Sequence, residues 1–173
     1  MCLVNGAEGI GTGWSTSIPC YHPLAISENI KRRLARPGVK FIRMTPWSRG
    51  FTGQIELKED CMNYVVSGRY ERLDREEKLV IRELPIQVWI RNYKNFLEEL
   101  AQNDKITDIK EFHKDNTVHF ELTVPDLKKY TDAEIEKEFK LTSSMSCSNF
   151  VLFDRDYKIR RYANEIEILE EFF

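Results

Sequence analysis

Apolar positions along the 173-residue chain change their period several times, and each change marks an expected element. Leu24, Ile30 and Leu34 form a partial apolar stripe at helical spacing, so a helix is predicted over 23–34. Pro23 suits its first position, where a fixed φ is pre-organised and a missing N–H costs nothing, and Arg36-Pro37-Gly38 ends it. Residues 54–57, 63–70 and 79–82 read as strands, with the polar run 74–78 as a hairpin connection. Pro85 breaks the last of these, and a helix is predicted over 88–101. Trp89, Tyr93, Phe96, Leu97 and Leu100 would be its core stripe. A second hairpin is expected from 106–112 and 117–124 around Lys114-Asp115-Asn116, with Val118, Phe120, Leu122 and Val124 on one buried face. Thr131 or Asp132 can cap a short acidic helix reaching Phe139. A third hairpin joins 149–153 to 158–160, and Asn164 caps a final helix carrying Ile166, Leu169 and Phe173. The pattern predicts an α+β fold, an antiparallel or mixed sheet with helices packed on it, preceded by an N-terminal Gly-rich segment and helix.

Composition narrows the class without naming a function. Hydrophobic residues make up 42% and charged residues 31%, ordinary for a soluble globular protein with a real core. No apolar run reaches the roughly 18 residues a membrane span needs, and the N-terminus does not have the pattern of a secretory signal. The four cysteines (Cys2, Cys20, Cys61, Cys147) are widely spaced with no C-x-x-C, so reduced thiols in an intracellular protein are expected and a zinc site is not. His113 and His119 flank the second hairpin without partners at ligand spacing. The net charge of -2 hides an asymmetry: Lys31, Arg32, Arg33, Arg36, Lys40, Arg43 and Arg49 fall in a stretch with no acidic residue. A basic stripe on an acidic body is what local phosphate contact requires. On charge alone, a solvated helix face explains it equally well.

The most informative stretch is Asn5 to Thr16, NGAEGIGTGWST, in which Gly6, Gly9, Gly11 and Gly13 surround one β-branched apolar residue, Ile10. Neither a Walker-type phosphate loop nor the dinucleotide fingerprint fits, because no lysine follows and the glycine spacing is wrong. A generic Gly-rich turn remains one reading. The other is a loop that lies against a large partner and buries Ile10 in it, as architectural proteins do when they wedge an aliphatic side chain between stacked bases.

The string NGAEGIGTGWST resembles the breakage-reunion core of eukaryotic type IIA DNA topoisomerases just after the winged-helix domain. Further matches follow in order: Ile18-Pro19, Ile30-Lys31-Arg32-Arg33-Leu34, Pro46-Trp47 with Gly50-Phe51-Thr52-Gly53, Glu83-Leu84-Pro85 with Trp89, Phe139-Lys140-Leu141, and Val151-Leu152-Phe153-Asp154. The corresponding bacterial gyrase subunit is similar in outline but lacks the GWST and PW…GF…G strings. The resemblance spans essentially the whole chain and implies the tower, or shoulder, region. It also implies three segments: 1–50, a Gly-rich wedge loop with a basic helix and connection; 51–163, the α+β tower domain; and 164–173, the start of a helix leading to a coiled coil.

The functional expectations follow from that resemblance. Ile10 would wedge between base pairs of the gate duplex and bend it, with Asn5, Gly6, Glu8, Gly9, Gly11, Thr12, Gly13 and Trp14 shaping the loop and Trp14 mainly packing. Lys140, Leu141, Thr142, Ser143, Ser144, Met145, Ser146, Cys147, Ser148 and Asn149 match a DNA-interaction stretch, and Lys31, Arg32 and Arg33 would add phosphate contacts. For 140–149 the residues alone allow a polar strand facing water as readily. The family's nucleophilic tyrosine lies upstream of the NGAEG string, so no catalytic residue and no metal ligand is expected here. ATP and Mg²⁺ belong to the parent enzyme, an ATP-dependent isomerase that changes DNA topology. The implied partners are double-stranded DNA, the remainder of the topoisomerase polypeptide and its homodimer partner, in the nucleus, with no membrane; the isolated chain would be monomeric. The alternative is a stand-alone truncated homologue acting as a non-catalytic DNA- or protein-interaction module.

Overall fold

In a computed structural model the structure describes residues 1–60, 62–114 and 117–173. Cys61 lies outside the described residues, as do Asp115 and Asn116 of the expected hairpin connection. In chain order the elements are α1 (Cys2–Asn5), β1 (Ala7–Gly11), β2 (Trp14–Ile18), α2 (Pro23–Ala35), β3 (Gln54–Leu57), β4 (Asn63–Ser67), β5 (Arg69–Leu73) and β6 (Lys78–Glu83). Then follow α3 (Ile90–Gln102), β7 (Asp108–Glu111), β8 (Phe120–Thr123), α4 (Asp132–Glu138), β9 (Thr142–Ser146), β10 (Phe150–Phe153), β11 (Ile159–Tyr162) and α5 (Glu165–Phe172). The α+β class is that expected. The pairs β1–β2, β5–β6, β6–β8, β7–β8 and β10–β11 are all antiparallel.

The chain forms two compact units, one of Met1–Gly50, Ile55–Tyr64 and Met145–Phe173, the other of Phe51–Gln54 and Val65–Ser144. This division differs from the three consecutive segments expected: residues 145–163 cluster with the N-terminal fifty rather than with the central domain.

In the second unit an antiparallel sheet runs in the order β5-β6-β8-β7. Its core side carries Leu79, Ile81, Phe120 and Leu122, all fully buried, and α3 packs Tyr93, Leu97 and Leu100 into the same cluster. The Tyr93 hydroxyl donates to the Phe139 carbonyl at 2.6 Å, which satisfies a phenol that burial would otherwise leave unpaired. Trp89 does not join the stripe; it sits at the N-cap of α3, 73% exposed, and the helix begins one residue later. The single strand expected over 63–70 is two strands parted at Gly68, whose amide donates to the Leu141 carbonyl at 2.9 Å. Thr131 caps α4 as expected and does so in a capping box: Glu134 N–H donates to the Thr131 hydroxyl, and the Glu134 carboxylate accepts from Thr131 N–H at 2.8 Å.

In the first unit the core gathers Leu3, Ile18, Tyr21, Phe41, Met44, Tyr64, Cys147, Phe150, Tyr162, Ile168 and Leu169. Pro23 does open α2, with the His22 imidazole accepting from Leu24 N–H at 3.2 Å. Of the expected stripe of α2 only Ile30 faces inward: Leu24 and Leu34 are about two-thirds exposed, and Ala25 and Ile26 pack on the core beside Ile30. Asn29 takes the deepest position. Its carboxamide accepts from Ile42 N–H at 2.8 Å and donates to the Ile42 and Ala25 carbonyls at 3.0 and 3.2 Å. A buried polar side chain thus pins the irregular connection after α2. Glu165, also buried, accepts from Met44 N–H at 3.1 Å and faces the Arg43 guanidinium at 3.6 Å. Asn164 caps α5 by accepting from Ile166 and Glu167 N–H.

Candidate nucleic-acid interface

The Gly-rich stretch is a two-stranded hairpin, not an irregular loop. β1 and β2 pair from Ala7↔Ile18 to Gly11↔Trp14 across a Thr12-Gly13 turn. Gly13 has φ +77°, a left-handed conformation that side-chain-bearing residues adopt at a cost. Gly6, at φ +70°, fixes the hairpin's base: a Cβ there would come within 2.8 Å of the Ile18 carbonyl oxygen. Gly9 and Gly11 lie within β1 in ordinary extended backbone.

Ile10 is 94% exposed, more than any other large hydrophobic described, and sits opposite Ser15 one position from the turn-flanking pair. Solvent exposure of an isolated aliphatic residue on a rigid two-stranded projection has no folding benefit. Trp14, expected to pack, is 53% exposed and contributes little to the core. Period-2 alternation puts it on the hairpin face opposite Ile10, with Gly9, Gly11 and Thr16.

The hairpin is braced from one side. Ser17 N–H donates to the Asn149 carbonyl at 2.9 Å, the Asn149 carboxamide donates to the Ser15 hydroxyl at 2.9 Å, and Val151 N–H donates to the Thr16 hydroxyl at 3.2 Å. The β1–β2 and β10–β11 hairpins therefore meet edge to edge, β2 beside β10.

The stretch 140–149 separates into different roles. Leu141 and Cys147 are core residues, 1% and 5% exposed, so their side chains face no external ligand. Met145 packs against the core as well. Burial pushes the Cys147 thiol up to about 11, which keeps it protonated and unreactive. Lys140 lies over the Phe96 ring at 4.0 Å. Thr142 and Ser143 are half-buried, Ser144 and Ser146 are less enclosed, and the Ser146 and Ser148 hydroxyls bond each other at 3.0 Å. Asn149 is the member that reaches the Ile10 hairpin.

Of the basic residues on α2, Lys31 and Arg32 are exposed with no ion pair among the described residues. Arg33 turns inward: it pairs with Glu170 at 3.4 Å and stacks its guanidinium 4.5 Å from the Phe41 ring centroid. Arg36, Lys40 and Arg49 are exposed, again with no ion pair among the described residues. Arg161 was missed from sequence; its guanidinium donates to the Ser148 carbonyl at 3.2 Å beside those hydroxyls. The signal available was strand alternation, which places Arg161 outward once Tyr162 is inward. Among the described residues no cluster of three potential metal ligands occurs, and no helix is long and apolar enough to cross a membrane.

The α+β architecture is that of a type II topoisomerase DNA-binding and cleavage core, as similarity to known proteins shows. The chain superposes on the crystal structure of the Plasmodium falciparum topoisomerase II DNA-binding, cleavage and re-ligation domain with a TM-score of 0.90, at 39% identity, over 99% of this chain and 24% of that one. It is 42% identical to DNA topoisomerase 2 of Arabidopsis thaliana over 99% of its length, and 41% identical to that of Saccharomyces cerevisiae over all of it. Residues 1–173 match the family model of the DNA gyrase/topoisomerase IV A-subunit, and the chain belongs to that family. It spans about 12% of the length of these two relatives.

Proposed function

We propose that this chain is the part of a type II DNA topoisomerase that grips and bends the gate duplex, with Ile10 as the wedge. The observation that carries the reading is the 94% exposure of Ile10 on a hairpin braced by hydrogen bonds to residues 149 and 151. Parting one base step costs on the order of a few kcal/mol, and burial of the side chain plus the extra duplex surface brought into contact offset it. Lys31, Arg32, Arg36, Lys40 and Arg49 supply positive charge for phosphate oxygens, and Ser146, Ser148, Asn149 and Arg161 supply short polar donors. Such contacts position a duplex without reading its sequence, so specificity comes from deformability. ATP and Mg²⁺ dependence, strand passage, homodimerisation and nuclear residence belong to this reading as properties of the whole enzyme. The chain itself takes no chemical step in it.

The test is end-to-end fluorescence transfer on a short labelled duplex saturated with the chain. Wild type is expected to shorten the end-to-end distance, and Ile10→Ala to bind with the duplex nearly straight. Equal shortening by both would refute the wedge.

A further inference from the structure

Side chains of a two-stranded ribbon stand perpendicular to its plane, so Ile10 enters a base step only if the hairpin lies with the Ile10 face on the duplex. The register fixes what else that face carries: Glu8 two residues before Ile10 in β1, Ser15 opposite Ile10, and Ser17 opposite Glu8. All four are exposed. The two serines are short enough to let the ribbon come close. Ser15 Oγ accepts from the Asn149 carboxamide at 2.9 Å, which leaves its own O–H to donate outward. Glu8 is the one acidic residue of the hairpin, and among the described residues its carboxylate has no ion pair and no hydrogen bond. Folding therefore gives no reason for a negative charge on the surface that would face a polyanion.

We infer that Glu8 reads guanine in the minor groove beside the wedged step, an inference that rests on the wedge reading. Aliphatic wedges of this kind enter through the minor groove. A·T and T·A pairs present only acceptors there, and the 2-amino group of guanine is the one donor. The Ser15 and Ser17 hydroxyls donate to acceptors that every pair shows, so they carry no sequence information. A carboxylate only accepts. Against an A·T pair it loses water and meets other acceptors; against G·C it takes a charge-assisted bond from the guanine amino group. Two residues along a strand span about 7 Å, roughly two base-pair rises, so the pair read lies close to the parted step and not within it. Glu8 thus adds one base-specific contact to a grip whose phosphate contacts are blind to sequence, against a background repulsion from the backbone.

The experiment measures duplex affinity of the full chain by fluorescence anisotropy at low salt, with bend angle at saturation and thermal midpoint alongside. The duplex carries a single flexible TA step between G·C pairs, which localises the wedge. Inosine, which is guanine without its 2-amino group, replaces guanine at each position in turn. The wild-type chain is expected to lose about tenfold in affinity at a position flanking the TA step and little elsewhere. Glu8→Ala should give a flat profile, with the midpoint and the saturated bend preserved. A flat wild-type profile overturns the inference, and so does a loss that persists in Glu8→Ala, because another group would then be reading the amino group. Absence of measurable duplex binding by the wild-type chain overturns it too. Full bending by Ile10→Ala sinks the wedge instead; that failure is read from the bend and not from the inosine profile, so the two stay distinct.

Discussion

Asn29 and Glu165 hold the basic connection by side-chain bonds that no apolar residue could replace. The carboxamide of Asn29 satisfies both polar groups of the Ile42 peptide from inside the molecule. Its replacement would remove all three of these bonds at once and leave the part-buried Ile42 N–H and C=O without their side-chain partner. Asn29→Ala is therefore expected to lower unfolding stability by about 2–4 kcal/mol, read as a reduced urea midpoint; a loss below about 0.5 kcal/mol would mean that water reaches Ile42 freely. The sequence offered no hint of this. Asn29 reads as one polar residue in a polar helix, and its role depends on Ile42, thirteen residues on in an irregular segment. Leu24 and Leu34 misled for the same reason: α2 meets its core through Ala25, Ile26 and Ile30, so only Ile30 of the apolar stripe faces inward. The exposure of Ile10 was legible because it is local, a β-branched residue among glycines where no core could claim it.

At the scale of elements, α4 shows how a cap makes a short helix sensitive to pH. Hydrogen bonds from Thr131, first its backbone N–H and then its hydroxyl, hold the Glu134 carboxyl below the 4.5 usual for a glutamate. A depressed folded value means the carboxylate form stabilises the cap. That contribution is complete above the ordinary glutamate range and is lost as pH falls through the lowered value. In a carboxyl-resolved NMR titration Glu134 should titrate below the ordinary glutamate value, and Thr131→Ala should raise it only in part, because the backbone N–H that alanine keeps is the larger cause. A wild-type Glu134 titrating at the ordinary value would contradict the cap. Thr131 was readable in advance as one of two adjacent cap candidates, while the reciprocal bond from Glu134 was not. The β10–β11 and β7–β8 hairpins were readable from alternation. The break between β4 and β5 was not, since it depends on Gly68 meeting Leu141 from far along the chain.

Across the whole molecule, local patterns predicted element types well and grouping poorly. Two units interleave along the chain because residues 145–173 return to the N-terminal unit, and no composition shift marks that return. The same return places Asn149 and Val151 against the Ile10 hairpin, and the two hairpins together line an apolar groove. The brace and the exposed Ile10 thus come from opposite ends of the sequence, and the proposed wedge depends on the brace holding Ile10 out. Duplexes carrying 2-aminopurine at successive positions test this most directly, since that base brightens when its stack is broken. The wild-type chain is expected to raise the fluorescence at one step and leave its neighbours dark, with Ile10→Ala binding the same duplex without the rise. Equal brightening by Ile10→Ala, or none by the wild type on saturated DNA, would contradict the wedge.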